Sequence, residues 1–344
     1  MPHSVLLHKK LVEAGYIIDF WYYKDLTSTY PWENFNADLK YNVFNNSFDH
    51  FRKVLISLFQ SDLVIITGWH TKFHVFLMFL SKLIGKKYAL WLDVTLEKIP
   101  IYKKLRNIAF LKLAPWLFVT GDYGIKQLKL LYGININKTK DFPYLSAEFD
   151  EHKVKEINEK RNEVVLSDSV IKLLISNRFI ERKGYNIIIK AFSILPAEVR
   201  KQFHITVLGN GINFEKYKAE MMSCMENIEF LGWVEYDTYL SSLTECDIFL
   251  HASIDEPFGI PPMDAMVCGK LVISSDGVVS SMSRIINGIN GFIYSKNDYK
   301  ELSAIFSYIV KNRSEIYEMG KAALNTSKKY SYNYNIKSIQ SIIN

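Results

Sequence analysis

The sequence has 344 residues, of which 49% are hydrophobic and 23% charged, and this composition is typical of a globular protein rather than a disordered or collagen-like chain. Its three cysteines are widely spaced and form no Cys-x-x-Cys pair, which argues against a disulfide framework or structural zinc and favours a reducing compartment. The net charge of +6 lies entirely in residues 1–150, which hold 19 Lys and Arg against 13 Asp and Glu; this is either a chance feature of a Lys-rich composition or a surface for an anionic membrane, lipid phosphate or nucleic acid.

Apolar runs alternate with amphipathic segments in the first half of the chain. A helix is predicted over Val5–Ala14, and charges among its apolar residues argue against a cleaved signal peptide. The stretch Phe73–Leu80 is far shorter than the roughly 20 residues that a membrane span needs, so we predict a buried helix there. Strands are predicted at Ile17–Tyr23, Leu63–Thr67, Tyr88–Leu92 and Trp116–Thr120.

The second half repeats this alternation and ends in a helix at about Tyr334–Ile342. Apolar strands separated by helices predict parallel sheets covered on both faces, and therefore an α/β fold of two doubly wound domains. The strands are predicted at Ile171–Ser176, His204–Leu208, Ile228–Phe230, Ile248–His251 and Leu271–Ser274.

The domain organisation follows from these blocks. We predict a first domain at 1–150, a charged linker at 151–169, a second domain at 170–325 and a C-terminal helical segment at 326–344. A doubly wound domain normally opens with a strand and a glycine-rich turn. Here a helix comes first, so the first strand is expected to be missing.

The segment Ile248–Gly269 carries the strongest chemical signal. A strand is followed by a loop with Glu256, and two prolines then open a helix with Asp264 in its first turns. The carboxyl ends of parallel strands are where α/β sheets bind ligands, and a helix N-terminus favours anions. Alternatively, both acids only stabilise the helix dipole. The amides at that terminus belong to Phe258, Gly259 and Ile260.

A basic loop follows the strand Ile171–Ser176. Arg178, Arg182 and Lys183 lie within six residues, and Arg and Lys are the side chains that bind a diphosphate. The alternative is a solvated basic loop. Two glycine-containing turns, at Gly209 and just before Val234, follow further strands.

Taken in order, these segments resemble the family 4 glycosyltransferases, which are retaining enzymes of the GT-B fold. The resemblance covers about residues 170–344, and the first half matches only in outline. It rests on NRFIERKG, LGNG, NIEFLGWV, EPFGIPPMDAMVCGKLVIS and VVSSMSRIINGINGFIY. It implies a donor cleft between two Rossmann-like domains, with the last helix crossing back to the first domain.

The resemblance also implies roles for particular residues. Arg178 and Lys183 would neutralise the diphosphate of a nucleotide-sugar donor. Glu256 would contact the donor sugar, and Asp264 would accept from ribose hydroxyls. Sugar and phosphate would be held by the amides of Phe258, Gly259 and Ile260, and the base pocket would be lined by Val234 and Gly209.

The sequence departs from the family pattern in three places. Asp264 is one methylene shorter than the usual Glu. A His-Asp pair near the acceptor is represented by Leu92 and Asp93, so Asp93, or alternatively His70, is expected to orient or deprotonate the acceptor hydroxyl. The first glycine loop is absent. No Asp-x-Asp occurs, and this predicts a mechanism without a metal or other cofactor.

The segment from Lys98 to Trp116 alternates basic with apolar and aromatic residues. Such a segment is typical either of a helix lying on an anionic membrane or of an ordinary helix with a solvated basic face. We expect a cytoplasmic protein, and in the first case one that is peripheral at the inner face of the membrane.

These observations predict a glycosyltransferase acting on a glycan or lipid-linked acceptor in surface polysaccharide biosynthesis. The alternative is a non-catalytic relative that binds nucleotide or glycan, or partners another transferase. A nicotinamide-dependent enzyme would need a Gly-x-Gly-x-x-Gly after an early strand, and the sequence has none. Nucleic-acid binding is not expected, because only the net charge favours it.

Overall fold

The computed structural model describes residues 2–22, 42–44, 47–69, 71–94, 99–167 and 170–343. They divide into two units. The first comprises the described residues of Met1–Val94 and Lys98–Leu145 together with Tyr330–Asn344, and the second comprises Ser146–Lys329. The chain therefore enters the second unit after Leu145 and returns to the first at Tyr330.

The described residues of the first unit contain a four-stranded parallel sheet and a separate pair of parallel strands. Its strands are β1 (Trp21–Tyr22), β2 (Asn42–Val43), β3 (Val64–Thr67), β4 (Tyr88–Leu92), β5 (Trp116–Val119) and β6 (Thr139–Asp141). Its helices are α1 (Pro2–Glu13), α2 (Phe48–Gln60), α3 (Lys72–Leu83), α4 (Ile101–Leu113) and α5 (Asp122–Tyr132). The order of the four-stranded sheet is β3-β4-β5-β6, and β1 pairs in parallel with β2. Every residue of β4 is buried, as expected for a central strand covered on both faces.

The stretch predicted to be a buried helix is helical but is not buried throughout. In α3, Met78 is buried, whereas Phe76 is 41% and Phe79 53% exposed. Helix α2 likewise combines buried and exposed apolar residues, and its Phe59 is 58% exposed. Because the apolar residues of α3 extend around the helix, part of them faces away from the sheet.

The second unit holds a larger parallel sheet of order β12-β11-β10-β7-β8-β9. Its strands are β7 (Ile171–Ser176), β8 (Phe203–Leu208), β9 (Ile228–Gly232), β10 (Ile248–His251), β11 (Leu271–Ser275) and β12 (Phe292–Tyr294). Its helices are α6 (Glu151–Leu166), α7 (Tyr185–Ser193), α8 (Ala197–Arg200), α9 (Phe214–Cys224), α10 (Tyr236–Glu245), α11 (Ile260–Val267), α12 (Val279–Arg284), α13 (Tyr299–Lys311) and α14 (Ser314–Ser327). The central strands β10 and β11 are buried along their whole length.

The charged segment predicted as a linker and the C-terminal segment each contain a helix. Residues of the predicted linker form α6, which lies in the second unit. The last helix, α15 (Tyr332–Ile343), packs in the first unit, where Ile336 and Ile339 join a cluster with Leu7, Trp91 and others.

The fold class is confirmed, because all three sheets of the described residues are parallel and their strands alternate with helices. The sequence missed β2, β6 and β12. It also predicted a strand at Ile17–Tyr23, of which only Trp21–Tyr22 is paired among the described residues. A short edge strand such as Thr-Lys-Asp in β6 has no apolar pattern, so only its pairing with β5 defines it.

Candidate active site

The loops that follow β7, β10 and β11 meet at one edge of the second sheet. These strands are adjacent and parallel, with Leu250 opposite Ile175 and His251 opposite Ser274, so their carboxyl ends face the same way. The amide of Ile254 donates to the carbonyl of Arg182 at 2.8 Å. The amide of Glu256 donates to the carbonyl of Gly277, also at 2.8 Å. The basic loop and the acidic loop of the sequence are therefore joined through their backbones.

Glu256 lies at the centre of this edge among basic side chains. The ammonium of Lys183 donates a short hydrogen bond to its Oε2. Arg182 Nη1 and His251 Nε2 each lie 3.9 Å from the same oxygen. The side chains of Lys183 and Glu256 are only 9% and 16% exposed. The structure thus brings together the predicted catalytic carboxylate and a predicted diphosphate ligand.

The ionisation of this pair is set by burial and by its own charges. Burial opposes ionisation of Glu256, but the neighbouring His251 and the charge of Lys183 outweigh it, so the pKa of Glu256 lies well below its usual range. Burial lowers the pKa of Lys183, and the Glu256 carboxylate counteracts it. At neutral pH we describe the pair as a carboxylate and an ammonium.

A close approach of two loops buries Lys183. The next residue, Gly184, has a φ of +72° and caps the N-terminus of α7. A Cβ at Gly184 would overlap the carbonyl oxygen of Ala252 in the acidic loop. Only glycine combines that left-handed backbone with that approach. The Lys-Gly dipeptide therefore fixes the lysine beside the acidic loop.

The other predicted donor ligands follow β7, β8 and β9, at the same edge of the second sheet. Arg178 is exposed in the basic loop. Gly209 packs against the carbonyl of Asn177, since a Cβ there would overlap that oxygen. Val234 follows β9 and is half-buried. A nucleotide contact by any of these three residues stays a prediction.

The start of α11 is shaped by Gly259. This residue has a φ of +90° and caps the helix. A Cβ there would lie 2.7 Å from Val278 and 3.1 Å from the Cγ of Glu256. Phe258 is buried and Ile260 half-buried. Glycine therefore lets the N-terminus of α11 approach the Glu256 side chain closely.

Asp264 has partners that the sequence did not predict. It is 1% exposed. Its Oδ1 accepts from the amide of Ala147 at 2.7 Å, and its Oδ2 accepts from the hydroxyl of Tyr239 at 2.9 Å. Both oxygens therefore already hold hydrogen bonds within the protein. The predicted ribose contact would have to compete with one of them.

Asp93, the predicted acceptor-side residue, lies in the first unit at the end of β4. Its Oδ1 accepts from the Thr120 hydroxyl at 2.8 Å, and its Oδ2 accepts from the Tyr144 hydroxyl at 3.4 Å. Burial, together with the charge of Asp93, raises the pKa of Tyr144. The carboxylate is exposed at the carboxyl edge of the first sheet. His70, the alternative base, lies outside the described residues.

Sequence reasoning missed His251 and Asn177, which contact the site. His251 is the last residue of an apolar strand, and periodicity assigns such a position to the core. Asn177 precedes the basic loop and carries no charge. Only the pairing of β7 with β10 places the two side chains together.

The described part of the chain was searched for metal-binding groups and for membrane-spanning helices. Within it, no group of three His, Cys, Asp or Glu side chains is arranged to hold a metal ion. Nor does any of its helices have the length and hydropathy needed to cross a membrane.

Comparison with known proteins identifies the family of the second unit. The family model of glycosyl transferases group 1 matches residues 156–326. An uncharacterized glycosyltransferase of Methanocaldococcus jannaschii is 26% identical over 227 residues, which cover 64% of this chain and 57% of that protein. A serotype-specific mannosyltransferase of Escherichia coli is 23% identical over 208 residues, which cover 58% of this chain and 24% of that protein. The alignments thus span less than two thirds of the length of these relatives.

The fold is also that of solved structures. HepE of Anabaena, crystallised in complex with UDP and glucose, superposes with a TM-score of 0.73 over 99% of this chain and 95% of its own, at 16% identity. This likeness shows that the chain has the GT-B fold. The match of the family model assigns residues 156–326 of the chain to the group 1 glycosyltransferases.

Proposed function

We propose that the chain is a retaining glycosyltransferase of family 4 that transfers a sugar from a nucleotide-diphosphate donor to a glycan or lipid-linked acceptor. The observation that carries this proposal is the buried Lys183–Glu256 pair at the carboxyl edge of the second sheet. A carboxylate held among cations in a shielded site suits the breaking of a bond between a sugar and a diphosphate.

The proposed chemistry follows from charge. Negative charge builds on the leaving diphosphate as the glycosidic bond breaks, and Lys183 with Arg178 would stabilise it. Positive charge develops on the sugar ring, and the carboxylate of Glu256 would stabilise that. Asp93 would orient or deprotonate the acceptor hydroxyl. These side chains supply the required charges, and we propose that no metal takes part.

The acceptor class and pathway are proposed from the names of relatives. The relatives include a serotype-specific mannosyltransferase and a protein of the cps region of Klebsiella pneumoniae, which is 24% identical over 268 residues. Their names favour a role in surface polysaccharide biosynthesis. We propose a cytoplasmic protein that works at the inner face of the membrane.

A nucleotide screen tests the donor site. UDP, GDP, ADP and TDP, each with EDTA, are compared by thermal unfolding. We expect one base to stabilise the protein by about 2.7 kcal/mol at 100 times its Kd. Arg178→Ala should weaken that nucleotide roughly 10-fold, since a charge-assisted hydrogen bond is lost. Lys201→Ala, which removes an exposed cation elsewhere, is the matched control.

The outcomes of the screen are distinct. No stabilisation by any nucleotide of the folded protein would contradict the donor site. Stabilisation that requires added Mg²⁺ would contradict the metal-independent part alone. Analysis of the product anomer by NMR tests retention.

Helix α4 supports the proposed contact with an anionic membrane. Ile101, Tyr102 and Leu105 are 69%, 64% and 62% exposed, and Lys103 and Arg106 are exposed beside them. Apolar side chains flanked by cations are the composition of an interfacial helix.

Charge reversal on α4 tests this contact. Each Lys or Arg near an anionic surface contributes about 1 kcal/mol, so Lys103→Glu with Arg106→Glu should weaken binding to phosphatidylserine vesicles more than 10-fold. The same reversal on α5, Lys126→Glu with Lys129→Glu, alters two exposed lysines and is the control. Equal sedimentation of wild type and the α4 variant would contradict a membrane role for this helix.

A non-catalytic relative is the second candidate. The burial of Asp264 between Ala147 and Tyr239 favours it, because a carboxylate held by the protein is less available to a donor. Turnover by the purified protein separates the two candidates.

A further inference from the structure

His251 and Asn177 form a second layer behind the Glu256 carboxylate. His251 is 1% exposed at the end of β10. Its Nδ1 lies 3.2 Å from the side-chain nitrogen of Asn177. Its Nε2 lies 3.3 Å from the hydroxyl of Ser253 and 3.9 Å from Oε2 of Glu256. The imidazole thus lies between an amide on β7's loop and the acidic loop.

The neighbours of both ring nitrogens of His251 favour the same tautomer. The Asn177 amide nitrogen only donates, so Nδ1 must accept and the ring proton belongs on Nε2. A carboxylate only accepts, so the nitrogen near Glu256 must carry a proton for the contact to be favourable. The opposite rotamer of Asn177 would place its oxygen at Nδ1 and turn a bare Nε2 lone pair toward the carboxylate.

The surroundings keep this imidazole uncharged. Burial lowers the pKa of His251, and the charges of Lys183 and Arg182 act in the same direction, whereas Glu256 opposes them. A second proton on Nδ1 would also face the Asn177 donor. The histidine therefore contributes an N–H group and not a positive charge.

Lys183 has two competing partners, and this competition explains how His251 and Asn177 could act. In the free protein Lys183 donates to Glu256. In the proposed reaction the same ammonium binds the diphosphate, so the carboxylate loses its strongest partner when the donor arrives. His251 Nε2, at 3.9 Å, lies just beyond hydrogen-bond distance. A small movement of the released carboxylate completes that bond.

We propose that His251 and Asn177 are positioning residues: Asn177 fixes His251 as its Nε2–H tautomer, and that N–H holds the Glu256 carboxylate toward the donor sugar once Lys183 has moved to the diphosphate. This inference rests on the proposed function of Glu256. It assigns to the pair no contact with the substrate itself.

Kinetics of variants test the proposal. His251→Phe keeps an aromatic ring but removes both nitrogens, and we expect kcat to fall roughly 10–100-fold, as for a lost hydrogen bond to a charged group. KM for the donor should change little, because Lys183 and Arg178 are intact. His251→Gln, which restores an N–H donor, should recover part of kcat. A merely structural role would lower stability without this split or this recovery.

Asn177→Asp provides a sharper test. An oxygen facing Nδ1 favours the opposite tautomer or the imidazolium, so the pH–rate profile should shift and kcat should fall. Asn227→Asp makes the same charge change at an exposed position just before β9, at the opposite edge of the sheet, and is the matched control. Wild-type kcat and pH profile in Asn177→Asp would overturn the proposal.

Nitrogen NMR of the unaltered protein needs no variant to fold. In protein labelled with ¹⁵N-histidine, we expect the His251 ring to show a bare Nδ1 and a protonated Nε2 near pH 7, with assignment from His251→Gln. A protonated Nδ1 would overturn the proposal. This test is independent of turnover, whereas absence of transfer by wild type with every donor would contradict the proposed function instead.

Discussion

Glu256→Gln is expected to abolish most sugar transfer while leaving nucleotide binding. The amide keeps the size of the side chain and still accepts a hydrogen bond from Lys183, but it carries no charge. Loss of one preorganised electrostatic group of this kind costs about 100–1,000-fold in kcat. Initial rates of nucleotide release, with donor and acceptor both present, measure the effect. The thermal shift caused by the nucleotide should stay within the error of the wild-type value.

The matched control is Glu198→Gln, the same substitution at an exposed position on α8, which should leave kcat unchanged. If wild type turns over and Glu256→Gln does so equally, Glu256 is not the catalytic carboxylate. If wild type does not turn over but binds nucleotide, the non-catalytic relative is the better description of the protein.

Lys183→Met is expected to give the largest loss of stability at the site. Removing one partner of a buried ion pair leaves the other charge uncompensated, and this typically costs 3–5 kcal/mol. Urea unfolding followed by circular dichroism measures the free energy of unfolding. In the double variant Lys183→Met/Glu256→Gln no buried charge is left unpaired, so most of the loss should be recovered.

An exposed ion pair is the control for this comparison of single and double variants. Lys160 Nζ lies 2.7 Å from Glu156 Oε1 on α6, and these side chains are 75% and 66% exposed. Lys160→Met, Glu156→Gln and their double variant should show little coupling of their effects on the free energy of unfolding. Equal coupling at both pairs would contradict the burial argument.

The buried Lys183–Glu256 pair also makes the stability of the protein depend on pH. The folded-state pKa of Glu256 lies below its unfolded value. Its contribution to stability is therefore present above the unfolded pKa of about 4.3 and is lost as pH falls through the folded-state value. Wild type should lose stability more steeply below pH 4 than the double variant.

Much of the candidate site could be predicted because it is local in sequence. Glu256, Lys183 and Gly259 lie in loops directly after buried strands, and adjacent parallel strands necessarily place such loops at one edge. The central strands β4, β7 and β10 were predicted with the bounds that the structure has, because a strand buried on both faces is a continuous apolar run.

Other features could not be predicted, because they depend on contacts between distant residues. The sequence of α3 has the apolar composition of a buried helix. Only packing decides which of its phenylalanines the sheet covers. The partners of Asp264 lie 117 and 25 residues away in the sequence. No local pattern signals either bond.

The sequence by itself determined the α/β class, the family and the charged residues of the two loops, since these depend on local runs and short motifs. Only the tertiary structure decided how those residues are used. It paired Lys183 with Glu256 across 73 residues and set His251 between Asn177 and the carboxylate. The physical reason is that protonation state and hydrogen-bond partner depend on burial and on neighbouring charges, which exist only once the strands are paired.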